Sequence, residues 1–182
     1  MSNNYIAVIV EGGAEKAIIN VLLDHDLLKF NRSDMLEEDV IRDRNAKTFA
    51  REHLSYGFAK NQISIFRILD SRKEEFSLPK PYTRLVSSRI DIFTTPEIEI
   101  LFIVYKGDFD KFKNQKPNKS GKKLPAHEWC KKFYNMKGVK SPEFVYDYWN
   151  YQPDKLVETI RLYSQKCDYP FENTLASIVN YH

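Results

Sequence analysis

The sequence opens with an apolar run that leads directly into an acidic residue and two glycines. Tyr5–Val10 has the composition of a buried strand, and Glu11, Gly12 and Gly13 follow it without a spacer. Helical spacing of apolar residues then begins at once and continues over residues 14–29. A strand that turns within three residues into a helix is typical of an open α/β sheet, whose ligands lie at the carboxyl ends of the strands. Glu11 therefore occupies a position where a functional acid is expected.

A second acidic residue occupies the same context further along the chain. Ile63–Leu69 alternates as a half-buried strand, and Asp70 follows it. Since parallel strands end at one edge of their sheet, we expect Glu11 and Asp70 to meet there. Paired carboxylates commonly bind a divalent metal, so both residues are candidate metal ligands and catalytic groups. Each also has a structural interpretation, Glu11 as an acid that stabilises the helix start and Asp70 as a turn residue.

Strand and helix patterns alternate through the first hundred residues. Further strands are predicted over 39–42 and Val86–Phe93, and a second helix over 46–58. The run Thr94-Thr95-Pro96-Glu97 predicts a helix start, because Thr caps, Pro suits the first turn and Glu complements the unpaired amides. This order predicts an α/β fold with a mostly parallel central sheet flanked by helices.

The second half of the chain is predicted to be a helical extension. The helix that starts near Glu97 is expected to run over 98–106, and a polar loop over 107–124 follows it. Later helices are predicted over 127–134, 154–165 and 173–181. With 182 residues and 42% apolar content, the chain is expected to form a single domain over 1–182, with a boundary near residue 107 as the alternative.

Composition also narrows the setting in which the protein works. No apolar stretch approaches the ~20 residues that span a bilayer, and no basic leader precedes the first strand. We therefore expect a cytoplasmic protein that makes no membrane contact. Cys130 and Cys167 have no His or Cys at metal-ligand spacing, so we expect reduced, structural thiols rather than a zinc site.

Charge is distributed unevenly along the chain. Residues 106–140 carry eleven lysines and three acids, a net charge of +8, so the rest of the chain carries −5 within the overall +3. A basic segment beside an acidic sheet edge suits a polyanion whose phosphates meet lysines. A solvated loop is the alternative interpretation. The candidate nucleic-acid-binding lysines are Lys113, Lys116, Lys119, Lys122 and Lys123, and Lys106 is a candidate for stabilising charge on a scissile phosphate.

Three short motifs resemble those of the Toprim domain found in topoisomerases, primases and nucleases of the overcoming-lysogenization-defect group. The first is Glu11-Gly12 with Glu15 a helical turn later, and the second is Leu69-Asp70-Ser71-Arg72. The third is the proline and glutamate that open the apolar segment Thr95-Pro96-Glu97-Ile98-Glu99-Ile100-Leu101. The resemblance covers roughly residues 5–112, which would form a Toprim-like core followed by the lysine-rich loop and helical extension over 113–182. Small Toprim-like defence nucleases of the RloB kind look most similar.

The resemblance implies a site in which three acids hold Mg²⁺ or Mn²⁺. Glu11 and Asp70 match two of them, and Glu15 would orient a metal-bound water. Arg72 stands where a second Asp is expected, so Glu74, Glu75 or Glu97 would supply the third ligand, and Glu97 is favoured over the neighbouring Glu99. Arg72 itself would bind a phosphate or pair with Asp70.

These expectations lead to three hypotheses about function. The first is a metal-dependent endonuclease that cleaves RNA, such as tRNA, or DNA as an effector of antiphage defence. The second is a catalytically degenerate Toprim-like subunit that binds or regulates through a protein partner or as a homo-oligomer. The third is an enzyme acting on phosphorylated small molecules, in which Gly12 and Gly13 at the helix start hold a phosphate.

Overall fold

A three-stranded parallel sheet forms the centre of the computed structural model, which describes residues 4–55, 62–70 and 75–181. Its strands are β1 (Tyr5–Val10), β2 (Ile63–Leu69) and β3 (Val86–Phe93), in the spatial order β1-β2-β3. All three were predicted from their apolar patterns. The predicted α/β class, with a parallel sheet flanked by helices, is confirmed.

Residues 35–41 run parallel to β1 along its other edge. Ile6 is bridged to Met35 and Ile9 to Ile41, and the Val10 amide donates to the Ile41 carbonyl at 3.0 Å. This segment takes the place of the strand predicted over 39–42, although it forms isolated bridges rather than a full strand. The chain therefore leaves β1 towards one side of the sheet and returns on the other side as β2. The ligand crevice of an open α/β sheet lies at such a reversal, between the two strands that diverge.

Eight helices surround the sheet within the described ranges. They are α1 (Gly13–Asp24), α2 (Ala46–His53), α3 (Lys80–Thr83), α4 (Ile100–Tyr105), α5 (Phe109–Lys113), α6 (Ala126–Tyr134), α7 (Pro142–Asn150) and α8 (Pro153–Lys166), with 3₁₀ turns at Arg32–Asp34, Phe171–Asn173 and Leu175–Ser177. None of the described helices combines the length and apolar character needed to cross a membrane.

The side chains of each strand divide between two apolar cores, because successive residues of a strand point to opposite faces. Val8 and Val10 pack in the larger core with α1, α4, α7 and α8, which also includes residues as late as Val179. Ala7 and Ile9 pack in the smaller core, which α2 closes with Phe49. Both faces of the sheet are therefore covered, which explains the nearly continuous apolar sequence of β1.

Several helix predictions differ from the structure. The helical turn before α4 begins at Glu97, where the Ile100 amide bonds to the Glu97 carbonyl, and the Thr95–Pro96 peptide is cis. The predicted helix over 173–181 is wrong, since this segment holds 3₁₀ turns and a bridge from Val179 to Leu28. The predicted loop over 107–124 contains α5, and α7 was not predicted. α1 ends at Asp24 and α2 at His53, short of the predicted ends, and residues 56–58 lie outside the described residues.

Candidate functional site

A cleft of about 270 Å³ opens where β1 and β2 end, at the reversal of strand order. Four of the predicted site residues line it, and they come from three different parts of the chain: Glu11, Glu15, Asp70 and Glu97. Glu99, Arg44 and Lys140 are the other charged residues of its lining within the described ranges. Among these described residues five acids face two bases, so this part of the cleft is acidic, whereas the whole chain is basic.

Glu11 is a nearly buried carboxylate of the cleft with partners from two other parts of the chain. Its side chain is 8% exposed, its Oε2 accepts a hydrogen bond of 2.8 Å from the Asp70 amide, and its Oε1 lies 2.8 Å from the Arg44 guanidinium. The acid that ends β1 is thus fixed to the residue that ends β2. The two predicted strand-end acids do come together.

The Asp70 carboxyl group responds to this proximity. Partial burial, followed by the hydrogen bond and negative charge of Glu11, raises the pKa of Asp70 to about 6, and the positive charge of Arg44 only partly opposes this. When two carboxylates are in hydrogen-bond contact, ionising both of them costs free energy unless a cation compensates their charge. The Glu11–Asp70 pair therefore needs a compensating positive charge or a shared proton, and Arg44 supplies a positive charge at Glu11.

Glu15 and Glu99 are buried acids in the wall of the cleft, at 8% and 3% exposure. Burial raises the pKa of both, that of Glu99 to about 7, and nearby acids add to the effect. The backbone amides of Glu15 and Gly12 favour the charged form of the Glu15 carboxylate and partly oppose the rise of its pKa. Glu99 was ranked below Glu97 because a regular helix would point them apart, but a tight turn precedes α4 and both reach the cleft.

Glu97 is held by basic and donor groups. It accepts from the His127 amide at 3.0 Å and lies 2.7 Å from the His127 Nδ1, and the Lys140 Nζ is 3.3 Å away. Burial raises the pKa of Glu97, but these hydrogen bonds and charges outweigh burial and keep it below its ordinary value. Glu97 thus fastens the start of α6 to the cleft, and this role leaves fewer of its lone pairs for a metal.

Packing explains the second glycine of the first motif. A Cβ on Gly13 would lie 2.4 Å from the Pro142 Cγ at the start of α7, so the close approach of α7 requires glycine at residue 13. A Cβ on Gly12 would lie 2.8 Å from the Glu15 Oε2, which is the end of a flexible side chain and can move. Bound phosphate is therefore not needed to account for Gly13.

The remaining predicted residues lie elsewhere. Lys106 is exposed at the far end of α4, with its Nζ 5.5 Å from the Tyr105 ring, and it is not part of the cleft lining. Lys113 pairs with Asp168 at 3.3 Å, and Lys123 donates to the Lys113 carbonyl. The three other predicted loop lysines are exposed: Lys116, Lys119 and Lys122. Arg72 and Glu74 lie outside the described residues, and Glu75 lines a neighbouring cavity beside Arg44.

Arg44 and Lys140 were not found by sequence reasoning. Arg44 lies in the connection before α2, and Lys140 lies between α6 and α7. No motif marks either residue. Lys140 was counted in the basic segment without being distinguished from its neighbours, although among the described lysines it is the one that lines the cleft.

A tighter acidic group lies outside the cleft. Among the described residues, only Asp43, Glu52 and His53 offer three metal-ligand atoms that all lie within 4.8 Å of one another. His53 is already bonded to Asp43 and Glu37 through its two ring nitrogens. In the part of the chain that the structure describes, no three acids of the cleft bring their carboxylate oxygens this close together.

No family model, curated protein or solved structure matches this chain.

Proposed function

We propose that the protein is a metal-dependent endonuclease of the Toprim type that hydrolyses phosphodiester bonds of nucleic acid. The observation that carries this proposal is the contact between Glu11 and Asp70 at the ends of the two diverging strands. The motifs around these residues, which resemble those of Toprim nucleases, support the same activity.

The donor set of the cleft fits a small divalent cation. Carboxylate oxygens are the ligands that Mg²⁺ and Mn²⁺ prefer, and Mg²⁺ is usually held by one or two carboxylates with water in its other positions. Glu11 and Asp70 would hold the ion, with Glu97 as the predicted third ligand. When bound, the ion would supply an activated water and polarise a phosphoryl oxygen. Without a cation, the excess of acids would repel the phosphates of a substrate.

The other side chains of the cleft have roles that follow from their positions. Arg44 and Lys140 are the basic groups that the described part of the chain contributes to the lining, so they would contact the non-bridging oxygens of a bound phosphate. Glu15 lies beside Asp70 and would orient the attacking water. Glu97 keeps α6 and Lys140 in place through its contacts with His127 and Lys140.

The substrate is proposed to be RNA, such as tRNA, or DNA. The lysine-rich segment supplies exposed positive charge for the backbone, which binds polyanions regardless of sequence. The resemblance to RloB-like nucleases suggests that the protein acts in the cytoplasm as an effector of antiphage defence.

A second candidate is a non-catalytic Toprim-like subunit that acts through a protein partner. The observation that favours it is the ion pair between Glu11 and Arg44, together with the basic contacts of Glu97. In that case the positive side chains would replace a metal and stabilise the acids permanently.

A cleavage assay separates the two candidates. Purified protein is incubated with labelled single-stranded and double-stranded RNA and DNA in Mg²⁺ or Mn²⁺, alongside Glu11→Gln and Asp70→Asn. Glu158→Gln is the matched control, since Glu158 is an exposed acid paired with Lys155 on α8. We expect cleavage by the wild type and the control, and none by the two site variants. The proposal is contradicted if both site variants still cleave, or if the wild type cleaves none of these substrates.

A further inference from the structure

A second cavity, of about 360 Å³, lies on the other side of the segment that carries Glu97 and Glu99. Thr95, Pro96 and Ile100 line this cavity, whereas Glu97 and Glu99 line the acidic cleft. The two spaces therefore share one wall, only a few residues thick. A molecule bound in the second cavity would be separated from the acidic cleft by the segment over 95–100.

The inner walls of this cavity are aromatic. Phe109, Phe112 and Tyr163 are buried there, and the Tyr163 hydroxyl donates to the Thr95 carbonyl at 3.0 Å. Tyr169 lines the cavity as well, and its ring stacks on Phe93, the last residue of β3, with the ring centroids 4.9 Å apart. The aromatic lining is thus held rigidly by the sheet and by α8, as a preformed binding site requires.

The rim of the cavity is charged. Lys113 lies 3.3 Å from Asp168, and Lys166 lies 3.2 Å from Asp110. All four side chains are at least 41% exposed, and ion pairs this exposed contribute little to stability. Either lysine can therefore exchange its carboxylate for a phosphate at small cost.

We propose that this cavity binds one unpaired nucleotide of the nucleic-acid substrate, with its base beside Tyr169 and an adjacent phosphate on Lys113 and Lys166. The proposal rests on the proposed function, because it places this nucleotide next to the one whose phosphate is cleaved. Flat aromatic walls with cations at the rim match a base joined to a phosphate, and stacking on aromatic side chains is the usual way to hold an unpaired base. The volume falls in the range of sites for small molecules and leaves no room for a duplex.

Binding measurements test this without depending on turnover. Fluorescence anisotropy of a labelled 12-nucleotide single strand, as RNA and as DNA, is measured with the Asp70→Asn protein so that no cleavage occurs. Tyr169→Leu is expected to weaken single-strand binding by about fivefold or more, since one stacked base is lost, and to leave duplex binding unchanged. Lys166→Gln is expected to weaken single-strand binding and to reduce the dependence of this binding on salt concentration. Lys155→Gln, an exposed and ion-paired lysine on the same helix, is the control and should change nothing.

A gain in affinity separates this role from a structural one. Asp168→Asn removes the partner of Lys113 and a negative charge at the rim, so single strands should bind several-fold more tightly. A loss of packing alone would not produce this gain. Thermal denaturation of each variant verifies that it is folded.

The outcomes are distinguishable from those of the cleavage assay. If Tyr169→Leu and Asp168→Asn both leave single-strand affinity unchanged, the inference fails, even where Glu11 and Asp70 prove essential for cleavage. If Tyr169→Leu weakens binding of a free mononucleotide but leaves oligonucleotide binding unchanged, the cavity binds a small ligand and the inference also fails. If binding depends on Tyr169 and no nucleic acid is ever cleaved, the cavity is supported and the proposed nuclease activity is not.

Discussion

Glu11 connects most of the observations made at the level of single residues. It ends β1, it receives the Asp70 amide and it lies against Arg44, so one side chain links three separate parts of the chain. The carboxylate is nearly buried, and a buried charge is stable only where it is paired. In the structure Arg44 pairs with the Glu11 carboxylate. A bound metal ion would share this carboxylate with Arg44.

The balance between Arg44 and a metal leads to a first prediction. Arg44→Gln removes a positive charge next to Glu11 and Asp70, so the two acids should attract a divalent cation more strongly. We expect the affinity for Mn²⁺ to rise several-fold in calorimetric titration. Arg161→Gln is the control, because its guanidinium lies over the Tyr181 ring and is not part of the cleft lining. Weaker Mn²⁺ binding by Arg44→Gln would mean that the arginine organises the site instead of competing for it.

His53 gives a second prediction at the same scale. Burial lowers the pKa of His53, but the hydrogen bonds and charges of Glu37 and Asp43 outweigh burial and raise it above 6.5. Because the folded-state pKa exceeds the unfolded one, the protonated form stabilises the fold fully below pH 6.5. This contribution is lost as pH rises through the folded-state pKa.

Urea denaturation across this pH range provides the measurement. The wild type should lose stability relative to His53→Gln as pH rises above 6.5, and the ring protons of His53 should titrate above that value in NMR spectra. Equal pH dependence in the wild type and the variant would show that the ion pairs are not formed in solution.

At the scale of elements, the contact between α1 and α7 sets the geometry of the cleft. Gly13 opens α1 and meets Pro142 at the start of α7, just after the connection that carries Lys140. A small residue at this point allows the two helices to approach closely. The acidic end of α1 and the basic connection are thereby brought to the same cleft.

This contact gives a third prediction. Gly13→Ala improves helix propensity by up to about 1 kcal/mol, but its Cβ would lie 2.4 Å from the Pro142 Cγ, so α7 must move. We expect a net destabilisation of about 1–3 kcal/mol, as is typical of overpacking, measured by chemical denaturation. Adding Pro142→Ala to the same chain should restore most of the loss. A stable Gly13→Ala protein, or a double variant no better than the single one, would refute the packing account.

The elements that sequence reasoning found are those with simple periodicity. β1, β2 and β3 have apolar runs with short flanking turns, and their predicted bounds match the structure. α7 was missed because the buried pair Val145 and Trp149, which marks its apolar face, lies among partly exposed aromatic residues: Phe144, Tyr146 and Tyr148. The last predicted helix failed because tertiary contacts, including the bridge of Val179 to Leu28, fix that segment in turns.

At the scale of the whole molecule, the site is assembled from connections that are far apart in sequence. Glu11 and Asp70 were predictable because strand ends of a parallel sheet meet by topology. Arg44 and Lys140 were not predictable, because their positions depend on how α2 and α7 pack, which no local pattern records. The position of Glu99 in the cleft lining was equally hard to foresee, since the direction of its side chain depends on a turn that ends only at Ile100.

The opposite charges of the cleft and of the lysine-rich segment give a fourth prediction. Replacing Lys116, Lys119 and Lys122 together by Gln should weaken binding of single-stranded nucleic acid. It should also reduce the slope of log affinity against log salt by roughly two, if each lysine neutralises one phosphate. The control replaces Lys29, Lys80 and Lys155, which lie outside this segment. An equal effect of both triple variants would show that the segment is only a solvated loop.

The most direct test of the account is the binding of a divalent metal by Glu11 and Asp70. Isothermal titration of Mn²⁺ into the wild type, Glu11→Gln, Asp70→Asn and the control Glu158→Gln measures it without any assumption about substrate. The account predicts binding by the wild type and the control that is lost in both site variants. Binding that is absent from the wild type, or that both site variants retain, would contradict it.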